Sequence, residues 1–358
     1  MPSVKDVALA AGVSPMTVSN VFSGRVPVRD RTRQRVLAAA KKLGYLPHGP
    51  AQALRTGRSF TIALSLPLIT NLTMAAMAQS ASREACAAGY MLSVSPLEYN
   101  AELERAHFDA LARQRVAVVI AIPVSNDPRP YVQLQQTGTP VVFVDRRPPG
   151  ITADLLASDH RTGTLAAVRH LLATGRRRVA MLMPPAEIGS SVARIEGYVA
   201  AYAEAGLPAP SDLFRPGLLT QGDAYRVTAE FLDQAEPPDA IIATGPSLTL
   251  GAQSCLRERA VQIPAEMAFV GTGDVRWAGL VEPPLTVVEV DGEELGRRAV
   301  GMAIERLEGQ ASLPPARDIY LPTRLVIRGS TVEPGRRLAA DLVAEQSLLT
   351  GLTRWESD

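Results

Sequence analysis

The stretch that decides the fold is Val4-Lys5-Asp6-Val7-Ala8-Leu9-Ala10-Ala11-Gly12-Val13-Ser14-Pro15-Met16-Thr17-Val18-Ser19-Asn20-Val21-Phe22. Val4, Val7, Ala8 and Ala11 recur at i, i+3, i+4 and i+7, the apolar stripe of a short amphipathic helix. Gly12 ends that helix. Ser14 opens the next as an N-cap, with Pro15 at the first helical position. Along the second helix Val18, Val21 and Phe22 share one side, and Met16, Thr17 and Asn20 lie on the other. A third amphipathic segment, about 31–43, offers Val36, Leu37 and Ala40 to close a three-helix core. Two helices joined by Gly12-Val13-Ser14 make a helix-turn-helix, whose second helix enters a DNA major groove.

Charge points the same way. The 358 residues carry a net charge of +1, but residues 1–58 hold ten Lys and Arg against Asp6 and Asp30, and the rest of the chain is at −7. A basic head on an acidic body suits contact between one end and a polyanion. Arg29, Arg31, Arg33 and Arg35 crowd the start of the third helix. The helix dipole disfavours each cation there by about 0.3–1 kcal/mol. Backbone phosphates would offset that conflict, with Thr32 adding a hydroxyl contact; the alternative is that the arginines simply fan into water.

Composition excludes several classes. At 46% hydrophobic the chain can bury a sizeable core, which rules out bulk disorder. Its apolar runs, such as 116–124, fall well short of the ~20 residues a spanning helix needs. Two cysteines, Cys86 and Cys255, exclude a disulfide framework and a multi-cysteine metal cage, so no metal and no cofactor are expected. Met1-Pro2-Ser3-Val4-Lys5-Asp6 lacks a secretory pattern, and a cytoplasmic, nucleoid-associated protein is expected. Catalytic signatures are missing too: there is no Gly-x-Ser-x-Gly elbow, P-loop or HExxH helix. Gly271-Thr272-Gly273 is a lone fragment of a dinucleotide fingerprint, and His160 beside Asp159 reads as structural. The protein is expected not to be an enzyme, with no catalytic residues.

From Phe60 onward, apolar runs at 61–66, 91–95, 116–122, 141–144, 179–183, 240–243, 268–271 and 287–290 read as buried strands. Helical stretches such as 74–88, 165–173, 195–205 and 294–307 fall between them. This alternation predicts parallel sheets with helices on both faces, and eight strands over about 270 residues suit two lobes. Ligands of such folds bind outside the carboxyl ends of the strands. The predicted class is therefore α/β, with an N-terminal three-helix helix-turn-helix domain ahead of two parallel-sheet α/β lobes. A secreted solute-binding protein would share the lobes but not the basic head.

The sequence resembles the lac-repressor-type (LacI/GalR) transcriptional regulators. The likeness lies in Val4-Lys5-Asp6-Val7-Ala8, Ala11 through Ser19, and Leu43-Gly44-Tyr45-Leu46-Pro47, and runs to about Val332. In the body it is carried by Pro140 through Arg146, Ala157-Ser158-Asp159, Arg194-Ile195-Glu196-Gly197-Tyr198, Glu282 through Val288 and Leu321-Pro322-Thr323. The resemblance implies a bilobed core similar to periplasmic sugar-binding proteins. It implies that Pro15, Met16 and Asn20 read base edges while Thr17 and Ser19 touch phosphates; core packing is the alternative for Met16. Many members carry Arg at the place of Asn20. Asn pairs bidentately with adenine, so an operator with A·T at that step is expected. The linker resembles a hinge helix that forms on DNA, with Leu54 as a minor-groove wedge; alone, Leu54 could be a buried linker residue. Gly49-Pro50 departs from the pattern and implies a hinge helix that starts late.

For the cleft the resemblance implies effector contacts from Asp145, Arg146, Arg194 and Asp274, an interlobe salt bridge being the alternative for Asp145 and Arg146. Several family positions differ. Thr244-Gly245-Pro246 replaces Ala-Asn-Asp, Gly271-Thr272-Gly273-Asp274 replaces Gly-Phe-Asp-Asp, Thr73-Met74 replaces an aromatic pair, and Val290 and Gly292 stand where polar and aromatic groups are common. The effector is expected to be a polar or anionic metabolite, sugar-derived or smaller, or else the response is lost. Expected boundaries are 1–46 for the head and 47–59 for the hinge. The sensor is 60–332, with lobe one at about 60–158 and 291–318 and lobe two at about 159–290 and 319–332. The tail, 333–358, sets Leu338, Leu342, Leu349 and Leu352 on alternating steps of four and three, too short for a secure coiled coil. A homodimeric repressor on a pseudo-palindromic operator is expected, with a tetramer through the tail left open and no membrane partner. The alternative is a member without small-molecule response, acting as a constitutive DNA-binding or architectural factor.

Overall fold

The computed structural model of the chain describes residues 2–23, 26–45, 59–185, 189–273, 276–309 and 315–332. The expected hinge with Leu54, the residue Asp274 and the leucine-spaced tail lie outside the described residues.

The head is three helices, α1 (Val4–Ala11), α2 (Pro15–Ser23) and α3 (Asp30–Leu43). Ser3 and Asp6 cap α1 reciprocally: the Ser3 N–H donates to the Asp6 carboxylate at 2.7 Å, and the Asp6 N–H to Ser3 Oγ at 3.4 Å. Gly12 ends α1 at φ +60°, a left-handed turn that glycine makes without strain. Ser14 opens α2 as expected, its Oγ accepting the Thr17 N–H at 3.1 Å. Val7, Ala8, Ala11, Val18, Val21, Val36, Ala39 and Ala40 form the core.

One expectation for α3 is corrected, and one of its arginines gains a partner within the head. Leu37 is 45% exposed and Ala39 takes its place in the core, because one residue turns the helix by about 100° and only 36, 39 and 40 share the inward stripe. Arg35 is exposed like Arg29, Arg31 and Arg33, but it is also tied back to the first helix. Its guanidinium donates to the carbonyls of Ala11 and Gly12, groups left open at the end of α1.

The body holds two six-stranded sheets among the described residues. The first orders β11 (Asp318–Leu321), β5 (Asp154–Ser158), β4 (Val141–Val144), β3 (Val118–Ala121), β1 (Thr61–Leu66) and β2 (Met91–Pro96), all parallel. The second orders β12 (Arg324–Val326), β10 (Thr286–Glu289), β9 (Ala268–Thr272), β8 (Ala240–Ala243), β6 (Val179–Leu182) and β7 (Phe214–Arg215), with only β12 antiparallel. Helices α4 (Leu72–Ala87), α5 (Ala101–Gln114), α6 (Arg129–Gln136) and α11 (Gly292–Glu308) cover the first sheet. Helices α7 (His160–Ala173), α8 (Gly189–Glu204), α9 (Gln221–Leu232) and α10 (Pro246–Glu258) cover the second. Apolar clusters fill both faces of each sheet.

Twelve strands stand where eight were expected. Three of the missed ones, β7, β11 and β12, are short sheet edges whose half-exposed side chains give no apolar run. The fourth, β5, opens on a fully buried acid. Asp154 accepts a hydrogen bond from Arg306 Nε at 2.7 Å, so a salt bridge inside the fold hides the strand from a hydrophobicity count. Conversely β2, expected to be buried, is an edge with Met91 66% exposed.

The chain crosses between lobes three times: from β5 into α7, from β10 into α11, and from β11 into β12. The last crossing follows Leu321 rather than 318, because Ile319–Leu321 pair with Leu156–Ser158 of the first sheet. Helix α7 begins at His160, five residues before the expected 165, where Asp159 caps it by accepting the Thr162 N–H at 2.9 Å. Helix α8 lies directly on α7. A Cβ at Gly197 would sit 2.2 Å from the Arg161 carbonyl oxygen, so only glycine permits this approach.

Candidate DNA interface and effector cleft

Helix α2 carries Pro15, Met16, Thr17, Ser19 and Asn20. Pro15 is exposed and Met16 is 69% exposed, so Met16 does not pack in the core. Thr17, Ser19 and Asn20 are half-buried, and the Thr17 hydroxyl shares a 2.9 Å hydrogen bond with Ser14. Thr32 lies in the first turn of α3, its N–H bonded to the Arg29 carbonyl at 2.8 Å, between the exposed Arg31 and Arg33.

Between the lobes, at the carboxyl ends of the strands, lies a cavity of about 140 Å³. Lobe one lines it with Thr73 and Met74 at the start of α4, Tyr99 after β2, and Asp145 and Arg146 after β4. Lobe two supplies His160, Ser190 and Arg194, Thr244 and Gly245 with Pro246 and Ser247 at the start of α10, and Thr272 with Gly273. The structure thus brings Asp145, Arg146 and Arg194, expected from sequence, into one cavity.

A relay crosses the cleft. Asp145 leaves β4 in the left-handed region at φ +66°, and its Oδ1 lies 3.0 Å from His160 Nε2. His160 Nδ1 lies 3.3 Å from Arg194 Nη2. A guanidinium has donors only, so Nδ1 must accept and Nε2–H donates to Asp145, which fixes a neutral imidazole in one tautomer. The environment agrees. Burial, then the Arg194 charge, push His160 below its ordinary pKa against the pull of Asp145. Burial works to raise the Asp145 carboxyl. The His160 hydrogen bond and the Arg194 and Arg146 charges outweigh it and hold the group below the usual carboxylate range. Tyr99, beside them, is pushed up by burial.

Asp145 and Arg146 do not pair with each other. Asp145 reaches across to His160, while Arg146 Nε donates to the Pro123 carbonyl in its own lobe. His160 and Tyr99 are cleft residues that sequence reasoning missed. The signal for His160 was its place one residue after the Ala157-Ser158-Asp159 strand end, as first residue of a capped helix. Tyr99 follows Glu98, and both adopt positive φ, a turn without a glycine to announce it.

The positions that depart from the family pattern do line this cavity, with one correction. Gly292 is a packing residue: a Cβ there would sit 2.5 Å from the Thr73 carbonyl oxygen, so it lets α11 approach α4. The Thr244 hydroxyl turns away and donates to the Leu182 carbonyl at 3.0 Å. Among the described residues no cluster of His, Cys, Asp and Glu could hold a metal ion, and no helix is long and apolar enough to cross a membrane.

A helix-turn-helix ahead of two parallel-sheet lobes with a cleft between them defines a DNA-binding transcriptional regulator with a periplasmic-binding-protein-like core. Residues 3–48 match the family described as bacterial regulatory proteins, lacI family, and residues 168–331 match a periplasmic binding protein-like domain. The transcriptional regulator CelR of Thermobifida fusca is 30% identical over 92% of this chain and 98% of its own length. The ribose operon repressor of Escherichia coli is 27% identical over 92% of this chain and all of its own. Among solved structures, the lac repressor dimer bound to operator and the anti-inducer ONPF superposes with a TM-score of 0.78 at 25% identity, covering 92% of this chain and 99% of that one. A CelR–cellobiose complex superposes with a TM-score of 0.70 at 28% identity, over 92% and 100%. The chain belongs to the LacI family.

Proposed function

We propose that this LacI-family regulator is a homodimeric repressor of a pseudo-palindromic operator, with operator affinity set by a small-molecule effector in the cleft. The observation that carries the effector is the cavity between the lobes, lined from both sides by charged groups: Asp145 and Arg146 from one lobe, Arg194 from the other. A ligand gripping both sides favours one lobe arrangement, and it shifts operator affinity only by that preference. Relatives support the reading, since a CelR complex with cellobiose and a lac repressor dimer with operator are known. On DNA, Pro15, Met16 and Asn20 read base edges, Thr17, Ser19 and Thr32 meet phosphates, and Leu54 wedges the minor groove at the centre of the site. Two-fold symmetry puts one α2 in each half-site.

A second reading is a constitutive DNA-binding factor, favoured by the Thr244 hydroxyl turned into its sheet and Thr73-Met74 in place of aromatics. In vitro selection of bound DNA, followed by titration of that operator against a metabolite panel, separates the two. A symmetric operator whose affinity moves with one compound is the expected result. Affinity unmoved by every compound favours the constitutive factor.

A further inference from the structure

Arg146 and Arg194 are each only 7% exposed, yet neither guanidinium is used up by the protein. Arg146 spends its Nε on the Pro123 carbonyl, and Arg194 spends one Nη2 hydrogen on His160. No other side-chain hydrogen bond or carboxylate partner occurs for either among the described residues, although both line the cavity. With His160 neutral and Asp145 ionised, the described charged lining residues sum to one positive charge. The N-terminus of α10 adds to this. Gly245 supplies no side-chain cap, and Ser247 and Leu248 of the first turn line the same cavity. Tyr99 is the single Phe, Tyr or Trp ring among the described lining residues, so the stacking platform that a neutral sugar ring would use is thin.

Two buried, unneutralised guanidinium forks on opposite walls favour an anion, because a carboxylate or phosphoryl group accepts bidentate, charge-assisted bonds that a neutral hydroxyl cannot match. We infer that the effector is a small polyhydroxylated anion, its carboxylate or phosphoryl group clamped between Arg146 of lobe one and Arg194 of lobe two, with hydroxyls donating to Asp145. The cavity volume, below the roughly 300–1,000 Å³ of sites for drug-sized ligands, fits one small metabolite. The relay through His160 holds Arg194 in place without neutralising it, since a neutral imidazole nitrogen is its side-chain partner among the described residues.

This inference rests on the effector reading above, and the test keeps the two apart. Calorimetry on the full-length protein compares glucose, gluconate, glucose 6-phosphate and inorganic phosphate, with operator affinity followed in parallel. At least one sugar-derived anion binds about tenfold or more tighter than glucose, and whether gluconate or the phosphate ester wins assigns the carboxylate or the phosphoryl group. Arg146→Gln abolishes that preference, and a circular dichroism spectrum like that of the parent protein shows the variant is folded. Arg194→Lys, which keeps the charge but not the fork, weakens the anion and leaves glucose unchanged. Glucose binding as tightly as its anions overturns the anion assignment and leaves the effector reading standing. Absence of binding by all three anions overturns the assignment as well. The effector reading itself falls only if operator affinity is also unmoved by every neutral and cationic compound of the panel.

Discussion

Arg29, Arg31 and Arg33 on the head stand in water, whereas Arg146 and Arg194 in the cleft and Arg306 beneath the first sheet are held inside the fold. The same side chain does different work in these settings. In water its charge is screened within about a Debye length and acts collectively, as suits a phosphate backbone whose counterions it displaces. Inside, it is screened little and must be matched group by group, so each guanidinium implies a partner: Asp154 for Arg306, and a ligand for the cleft pair. The acidic body is therefore compatible with a basic site, since net charge reports the surface and not the cleft.

The sharpest way to break this contrast is to remove a buried partner. Asp154→Asn leaves Arg306 without its carboxylate, and a loss of roughly 3–5 kcal/mol is expected in urea unfolding. A cost under about 1 kcal/mol, the value for an exposed pair, would put Arg306 in the same class as the head arginines.

Next in size is a pH effect from a buried group with no cation. Burial lowers the His170 pKa from 6.5 to about 4, with its Nε2 bonded to Thr331 Oγ1 at 2.8 Å. The folded protein keeps it neutral while the unfolded chain takes up a proton below pH 6.5. Its contribution to stability is therefore lost as pH falls from about 6.5 to 4, at up to about 1.4 kcal/mol per pH unit. Melting curves across that window should be flatter for His170→Gln; an unchanged slope would refute the assignment.

On the head, Asn20→Ala should cost roughly 1–3 kcal/mol in discrimination at one base pair of each half-site, read by competition between operators altered there. Full retention of the A·T preference would remove Asn20 from the base-reading set. The smallest effect is expected of Arg31→Gln, which should lower the slope of log affinity against log salt by about one and leave sequence preference unaltered. A change in preference would mean that Arg31 reads bases and that the head arginines are not interchangeable charges.

The head was legible almost residue by residue, because α1 and α2 are held by contacts within a few positions. Ser14 capping α2 and Gly12 ending α1 follow from local chemistry. Even there, the hydrogen bond from Arg35 to the Ala11 carbonyl joins residues 24 apart and left no local mark. In the cleft, Asp145, Arg146 and Arg194 could be named only through resemblance. His160 was passed over because its two partners, Asp145 and Arg194, lie 15 and 34 positions away. Strand β5 was missed for a related reason: the residue that neutralises Asp154 is 152 positions distant.

By itself, then, the sequence determined the helix-turn-helix, the alternation that makes two parallel-sheet lobes, and the split of charge between head and body. Those features depend on periodicity, capping and composition, which act over one or two turns of chain. Only the tertiary structure decided which edge strands complete each sheet, that the chain returns to lobe two after Leu321, and that Gly292 and Gly197 serve packing. It also set Arg146 and Arg194 on facing walls with donors to spare. Burial and pairing of a charge depend on what the fold carries to it through space, and no local pattern records that.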